Sequence, residues 1–467
     1  MKKIVLLLIV SMTILTIHGQ DISGQWNGVL KVQGIQLRLV FNITKDEKGY
    51  SSTMDSPDQG AKGIPVTSTN FENSILKIEL SNAGIFYEGT LNDKHVFIGI
   101  FKQSGQSFPL NLTQEKIEKE KVVRPQEPTK PYPYYSEDVK FENTKDKITL
   151  AGTLTLPKKD GIFPAVILIT GSGPQNRDEE LLGHKPFLVL SDYLTKNGIA
   201  VLRYDDRGTA ESTGNFKTAT TRDFVTDVEF ALKYLLTRKE IDKNHIGLIG
   251  HSEGGIIAPI VAAKSKDVNF IVLLAGTGIR GDKLLLLQQE LIGKVSGTND
   301  ADLQKNKLIS KGAFDIVLKS KNTDSLKTEL TNYISQAMKD NPNLSKKLSG
   351  MSKDDFVKLQ VTQLISPWMN YFIKYDPSLI LEKVKSPVLA INGSKDLQVP
   401  AKVNLEAIKK ALEKGGNKNV TTKELPNLNH LFQESKTGAP SEYATIQQTF
   451  SPIALSEILH WILKQVN

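Results

Sequence analysis

The stretch Ile246-Gly247-Leu248-Ile249-Gly250-His251-Ser252-Glu253-Gly254-Gly255 decides the fold of the chain. A short apolar strand runs directly into a Gly-x-Ser-x-Gly turn, and a run of small and apolar residues that suits a helix, 256–263, follows. A strand, a sharp turn and a helix in this order predict a strained turn that holds the hydroxyl of Ser252 at the edge of a sheet. Gly250 and Gly254 fit this prediction, because a Cβ at either position would collide with the tight packing of strand and helix. Ser252 is therefore the candidate nucleophile.

Two residues far along the chain are candidate partners of Ser252. A serine hydroxyl is a poor nucleophile unless a base takes its proton and a third group orients that base. Asp396 comes shortly after the apolar strand predicted at 388–391, and His430 comes shortly after a last short strand predicted at 421–425. The order serine, aspartate, histidine is one of the known chain orders of a Ser-His-Asp triad.

The other histidines compete poorly for the role of base. His251 is next to Ser252, so the turn directs its side chain elsewhere. His184 is the serious rival, because it follows the glycine-rich loop that begins at Gly171.

Backbone N–H groups are the expected stabilisers of an oxyanion beside Ser252. One is the N–H of Glu253, the residue after the nucleophile, and the other is that of Ser172, which follows the strand predicted at 164–170. Gln175 could contact the substrate or simply brace this loop. The charged residues of 203–208, which follow another strand, are predicted to form a structural network.

Alternating strands and helices predict a parallel sheet from residue 137 onward, with helices on both of its faces. The stretch 279–378 has helical periodicity only, and strand signals resume at 387–392. We therefore predict an α/β core over 137–278 and 379–467, with 279–378 inserted as a helical cap above Ser252. Three aromatic residues of this cap are candidates for the substrate pocket, although they could equally be plain core: Trp368, Tyr371 and Phe372.

Residues 21–114 predict a small all-β domain of about eight short strands, closed as a barrel or stacked as a sandwich. The opening Gly24-Gln25-Trp26 is similar to the Gly-x-Trp of lipocalin-like barrels, in which the tryptophan plugs one end. This domain could be a ligand-binding cup or a packing and spacer domain. Residues 115–136 are rich in proline, lysine and glutamate and predict an extended linker.

The first 20 residues read as a secretory signal peptide. Lys2 and Lys3 form a basic start, and an apolar run over 4–17 is short for a membrane span, so we expect cleavage and export to a periplasm or the outside rather than a stable membrane anchor. The 467-residue chain has no cysteine, which excludes disulfides, thiolate metal sites and a cysteine nucleophile. Its net charge is +8, but the basic residues are interleaved with acidic ones along the chain, and no nucleic-acid-binding motif occurs.

Five motifs together resemble the bacterial secreted carboxylesterases, which have the α/β-hydrolase fold and are classed with the serine aminopeptidase-like hydrolases. They are residues 171–178, 203–208, 250–254, 367–377 and 387–400. The resemblance covers about 137–467 and does not reach the all-β domain. It implies esterase activity on short acyl chains without a cofactor or metal. It also implies Ser252, Asp396 and His430 as the triad and Ser172 and Glu253 as the oxyanion donors.

The sequence therefore predicts an exported serine esterase that acts on a small-molecule ester. An aminopeptidase-like or acyltransferase activity would use the same triad chemistry, and a ligand-binding module with a vestigial hydrolase is the non-enzymatic alternative. The oligomeric state stays open.

Overall fold

The computed structural model describes residues 21–32, 35–59, 61–103, 106–118, 124–341 and 352–466. Apart from residues 32–35, the chain divides into two compact units, one up to residue 119 and one from residue 120. The signal peptide predicted at 1–20 lies outside the described residues. Among the helices that are described, none is both long and apolar enough to cross a bilayer.

The first unit is all-β, and its strands pair antiparallel in two sheets. The strands are β1 (Gly24–Val32), β2 (Ile35–Asp46), β3 (Gly49–Ser56), β4 (Ala61–Pro65), β5 (Ser68–Glu72), β6 (Ile75–Leu80), β7 (Ile85–Leu91), β8 (Phe97–Gln103) and β9 (Gln106–Pro109). The sheets have the orders β1-β2-β3-β4 and β5-β6-β7-β8-β9. The chain leaves the first sheet after Pro65, at the end of β4, and enters the second sheet at Ser68, the start of β5.

Trp26 lies in the core of this unit. Its side chain is 2% exposed, its indole N–H donates to the Ile22 carbonyl at 2.8 Å, and its ring packs edge-on against Phe97 at 4.5 Å. Isolated bridges join Asn27 to Thr113 and Phe97 to Leu112, so the residues after β9 contact both sheets.

The second unit is built on an eight-stranded sheet. Its strands are β10 (Tyr135–Asn143), β11 (Ile148–Leu156), β12 (Phe163–Ile169), β13 (Ala200–Tyr204), β14 (Ile241–His251), β15 (Phe270–Leu274), β16 (Val388–Gly393) and β17 (Val420–Leu425). They are ordered β10-β11-β13-β12-β14-β15-β16-β17. The six strands β12 to β17 are parallel to one another. β10 and β11 form an antiparallel hairpin at one edge, and β11 pairs antiparallel with β13. The carboxyl ends of β12 to β17 therefore share one rim of the sheet.

Helices cover both faces of this sheet and also form an insertion. The helices are α1 (Pro186–Lys196), α2 (Thr221–Thr237), α3 (Gly254–Ala262), α4 (Gly281–Val295), α5 (Asp300–Lys319), α6 (Thr323–Asp340), α7 (Lys353–Ile365), α8 (Pro367–Lys374), α9 (Ser378–Leu381), α10 (Ala401–Lys414) and α11 (Pro452–Val466). Side chains of β12 alternate between two apolar cores: Ala165 and Ile167 face α2, α3 and α10, whereas Val166 and Leu168 face α1 and α11. Burial of both faces explains the continuous apolar run of this strand.

The insertion consists of α4 to α8, between β15 and β16, and it has an apolar core of its own that includes Phe314, Val317 and Leu330. The helical periodicity of the insertion continues through 354–373, but the helix breaks at Ser366-Pro367, which separates α7 from α8. Proline has no N–H to donate to the preceding turn. The Ser366 hydroxyl instead caps a new helix by accepting from the Met369 N–H at 3.3 Å.

The predicted linker is partly packed into the second unit. Arg124 is 7% exposed, and its guanidinium donates to the carbonyls of Leu182, Gly183, Ala444 and Ile446. The Gln126 amide donates to the Phe450 carbonyl at 2.6 Å and accepts from the Phe450 N–H at 3.0 Å. From Arg124 onward, this segment is therefore anchored rather than a free spacer.

Candidate active site

Ser252 occupies the sharp turn between β14 and α3. Its φ of 51° is in the left-handed region, and its N–H donates to the Leu274 carbonyl at 2.8 Å. A Cβ on Gly250 would overlap the backbone of Gly254, and a Cβ on Gly254 would overlap the carbonyl of Ile169. The two glycines are thus required by the close approach of strand and helix, and the turn presents Ser252 at the rim where the parallel strands end.

Asp396 and His430 form a buried pair in the loops after β16 and β17. His430 Nδ1 lies 2.8 Å from Asp396 Oδ2, and the two side chains are 6% and 0% exposed. Asp396 Oδ1 accepts two further hydrogen bonds, both at 2.8 Å, from the backbone N–H groups of Gln398 and Val399. The contact with the carboxylate favours the histidine tautomer that carries its proton on Nδ1 and leaves Nε2 free to accept one.

His251 and Glu179 connect the nucleophile turn to both neighbouring loops. His251 Nε2 lies 3.0 Å from the carbonyl oxygen of His430, and the two imidazole rings are 4.8 Å apart. His251 Nδ1 lies 2.8 Å from Glu179 Oε1, which also accepts from the Gly171 N–H at 2.7 Å. Burial alone would lower the pKa of His251, but the Glu179 carboxylate outweighs burial, so the pKa is raised.

Ser172 and Glu253, whose N–H groups are the predicted oxyanion donors, both lie beside Ser252. Both residues line one cavity with Ser252, and a Cβ on Gly171 would lie 3.3 Å from the Ser252 Cβ, so the loop packs directly on the nucleophile. Among the described residues, neither N–H donates to another protein group. Both are therefore free to donate to a developing negative charge.

The cavity beside Ser252 has a volume of about 70 Å³. Trp368 and Phe372 line it with their rings stacked at 5.1 Å, and Leu284 and Leu285 of α4 add apolar surface. Tyr371 is not among the lining residues of this cavity. It lies one position off the helical face shared by residues 368 and 372 and stacks on Tyr375 at 5.6 Å instead.

Gln175 is also not among the lining residues, although it was a candidate for substrate contact. Its N–H donates to Asp206 Oδ2 and its carbonyl accepts from the Asp206 N–H, both at 3.0 Å. These bonds brace the loop that carries Ser172.

The side chain of Glu253 connects the insertion to the nucleophile turn. It is 3% exposed, and its Oε1 accepts from the Thr221 hydroxyl at 2.7 Å and from the Trp368 indole N–H at 2.8 Å. Burial raises the pKa of this carboxyl, and the two hydrogen bonds oppose that shift. The residue after Ser252 thus holds an aromatic wall of the cavity.

The remaining predicted groups lie apart from Ser252. His184 is buried, and burial lowers its pKa to about 4. Its two ring nitrogens contact the Thr449 hydroxyl and the Tyr443 carbonyl rather than Ser252. The charged residues of 203–208 form a network, in which Arg207 donates to Asp227 at 2.7 Å.

The described residues show no hydrogen bond between Ser252 and His430. Such contacts often tighten only when a substrate binds.

Glu179 is the residue of the site that sequence reasoning missed. It directly follows the motif 171–178, but a lone acidic residue in a loop has no spacing that identifies a partner. Its own φ of 51° turns the chain so that the carboxylate reaches His251.

Within the described ranges, no group of three or more His, Asp or Glu side chains is arranged to hold a metal ion.

Comparisons with known proteins give consistent matches. A family model described as serine aminopeptidase, S33, matches residues 186–347. Esterase EstD of Thermotoga maritima is 27% identical over 342 residues, which cover 71% of this chain and 70% of EstD. Solved structures that resemble the chain include an esterase of Pyrococcus furiosus, with 17% identity, a TM-score of 0.40 and coverage of 71% of this chain and 93% of that one. Another is Est1E of Butyrivibrio proteoclasticus with bound ferulic acid, with 17% identity, a TM-score of 0.41 and coverage of 70% and 99%.

Proposed function

Because the chain is an α/β-hydrolase of the esterase type, we propose that it hydrolyses small carboxylic esters through an acyl-enzyme formed on Ser252. The observation that carries this proposal is the buried pair of His430 and Asp396, joined at 2.8 Å. The backbone carbonyl of His430 also contacts the side chain of His251, the residue before Ser252. A base that is oriented in this way beside a strained serine is the arrangement that acyl transfer requires.

The proposed reaction has two halves. The Ser252 oxygen attacks the ester carbonyl while His430 Nε2 takes the serine proton, and the negative oxygen receives hydrogen bonds from the N–H groups of Ser172 and Glu253. His430 then gives its proton to the departing alcohol, which leaves an acyl ester on Ser252. Water attacks this ester with His430 again as base, and the carboxylic acid and free Ser252 are released. The loss of one oxyanion donor costs roughly 10²–10³-fold in rate at comparable sites.

We propose that the insertion α4–α8 acts as a cap over Ser252. Its Trp368 and Leu284 line the same cavity as the nucleophile, and Trp368 is held by Glu253 at 2.8 Å. The cavity volume of about 70 Å³ supports a short acyl group at this point.

We also keep export and the lipocalin-like character of the first unit as proposals. The composition of residues 1–20 supports export, and N-terminal sequencing of the mature protein from the producing cells tests it. The buried Trp26 near the start of β1 supports the lipocalin-like likeness.

The experiment that tests the function compares wild type with Ser252→Ala on p-nitrophenyl butyrate and on aminoacyl p-nitroanilides. We expect wild type to turn over the ester and the variant to be inactive. The family description favours aminopeptidase activity as the second candidate, and faster turnover of the anilides would select it. Near-normal ester hydrolysis by the variant would refute both.

A further inference from the structure

A second cavity lies inside the insertion, apart from the residues assigned to catalysis. It has a volume of about 270 Å³, is partly open to solvent, and is lined by residues of α4, α5, α6, α7 and α8. Its apolar wall includes Leu285, Ile309, Phe314, Ile334, Leu364 and Met369. The polar atoms of its lining belong to amide and hydroxyl side chains, and no charged side chain is among the lining residues that the structure describes. An occupant would therefore be uncharged and mostly apolar.

The volume of this cavity is large for a packing defect. An engineered apolar cavity of roughly 150 Å³ already binds benzene. A ligand of suitable shape would remove the apolar lining of this cavity from water and gain contacts with it.

The second cavity adjoins the catalytic one. Leu285 lines both cavities, and neighbouring residues on two helices face one cavity each: Gln288 and Trp368 line the catalytic cavity, whereas Gln289 and Met369 line the second. A substrate group that extends from Ser252 past Leu285 would thus enter the insertion without crossing the apolar core of the α/β sheet.

We propose that the cavity enclosed by α4–α8 binds an uncharged apolar group of the ester substrate, the hydrocarbon chain on one side of the scissile bond. This inference rests on the proposed esterase function and adds the substrate class: esters that join a short group to a longer hydrocarbon chain. Since the cavity beside Ser252 fits a short acyl group, we expect the longer chain on the alcohol side.

Two ester series test the proposal, one with acyl chains of increasing length on p-nitrophenol and one with acetates of alcohols of increasing length. Each methylene buried in the cavity should raise kcat/KM roughly three- to four-fold. Ser310→Phe and Ala337→Phe fill the cavity from two different helices. Both should remove this dependence on length, measured as the ratio of kcat/KM for the longest ester to kcat/KM for the acetate of the same series, whereas Gln304→Phe, at an exposed position of α5, should keep the wild-type ratio.

A binding measurement separates this proposal from the proposed chemistry. In Ser252→Ala, which cannot form an acyl-enzyme, 1-octanol should raise the melting temperature in a saturable way, and addition of Ser310→Phe or Ala337→Phe should remove that shift. Equal shifts with and without the filling substitutions, or equal chain-length profiles in wild type and both filled variants, would overturn the proposal. The proposal is supported if kcat/KM rises with chain length in either series and the filling substitutions remove that rise. If the rise occurs in the acyl series, the acyl group is the longer one and the expectation of a short acyl group is replaced.

Discussion

The carboxylate of Asp396 accepts three hydrogen bonds at 2.8 Å, one from His430 and two from the backbone N–H groups of residues 398 and 399. In Asp396→Asn the amide oxygen would still accept from the two backbone N–H groups, so the NH₂ group would face His430 Nδ1. That contact favours the wrong tautomer of the histidine. We expect kcat to fall by about 10⁴ with the fold intact, as the matching substitution does in related triads. Steady-state kinetics together with circular dichroism measure both.

The chain contains a matched control for this substitution. Asp242 and His245 form a second aspartate–histidine pair, also at 2.8 Å, near the start of β14 and away from the reactive rim. Asp242→Asn should leave kcat unchanged. An Asp396→Asn variant within tenfold of wild type would show that this carboxylate does not orient the base.

At the residue scale, local pattern and chain order predict all three members of the candidate triad, because Ser252 is marked by its glycines, and Asp396 and His430 follow predicted strands in a known order. The structure brings His430 and Asp396 together at 2.8 Å. The side chains that line the cavity were harder to predict. Trp368 and Tyr371 are three residues apart on one short helix, and only the packed structure shows that the first lines the cavity and the second does not.

Glu179 links two elements, since its Oε1 accepts from the Gly171 N–H in the loop after β12 and contacts His251 Nδ1 at the end of β14. Because the pKa of His251 is raised in the folded protein, protonation of this side chain stabilises the fold. This stabilisation is fully present below the pKa of a free histidine, about 6.5. That stability is lost as the pH rises through the higher folded-state pKa. Glu179→Gln keeps an acceptor but removes the charge. The variant should be less stable than wild type by roughly 1.5–3 kcal/mol at pH 6, and the difference should be smaller at pH 9.

Urea unfolding at the two pH values measures this difference. Glu180→Gln, an exposed neighbour on the same loop, is the control and should match wild type at both. If the stability difference for Glu179→Gln were the same at pH 6 and pH 9, then the ion pair with His251 would not be its cause.

At the scale of elements, the sequence predicted which segments form strands and helices but not all of their ends. The break before α8 depends on Pro367 together with a serine cap, within a run whose apolar periodicity continues through it. The order of strands in the sheet, in which β13 lies between β11 and β12, is a property of long-range pairing that periodicity does not contain.

In the molecule as a whole, the proline-rich segment is joined to the second unit at points far along the chain. Arg124 donates to carbonyls at residues 182–183 and 444–446, and those carbonyls would lose this donor in Arg124→Ala. Hydrogen bonds to charged groups are worth more than neutral ones, so we expect a loss of roughly 2–3 kcal/mol in unfolding free energy. Lys130→Ala, at an exposed position of the same segment, should cost little. Equal, small effects of both substitutions in denaturant unfolding would mean that the segment is only a spacer.

The change in residue pattern near residue 115 predicted an all-β part followed by an α/β part. It could not predict that an arginine of the intervening segment is buried, because proline content and charge describe a solvated chain equally well. Burial here depends on carbonyl groups that only the complete fold brings together.

Covalent labelling with a fluorophosphonate, followed by mass spectrometry of the digested protein, tests whether Ser252 is the nucleophile. We expect one adduct per chain, on Ser252 and on no other serine, with labelling absent in Ser252→Ala and strongly slowed in Asp396→Asn. An unlabelled wild-type protein, or an adduct that persists in Ser252→Ala, would contradict it.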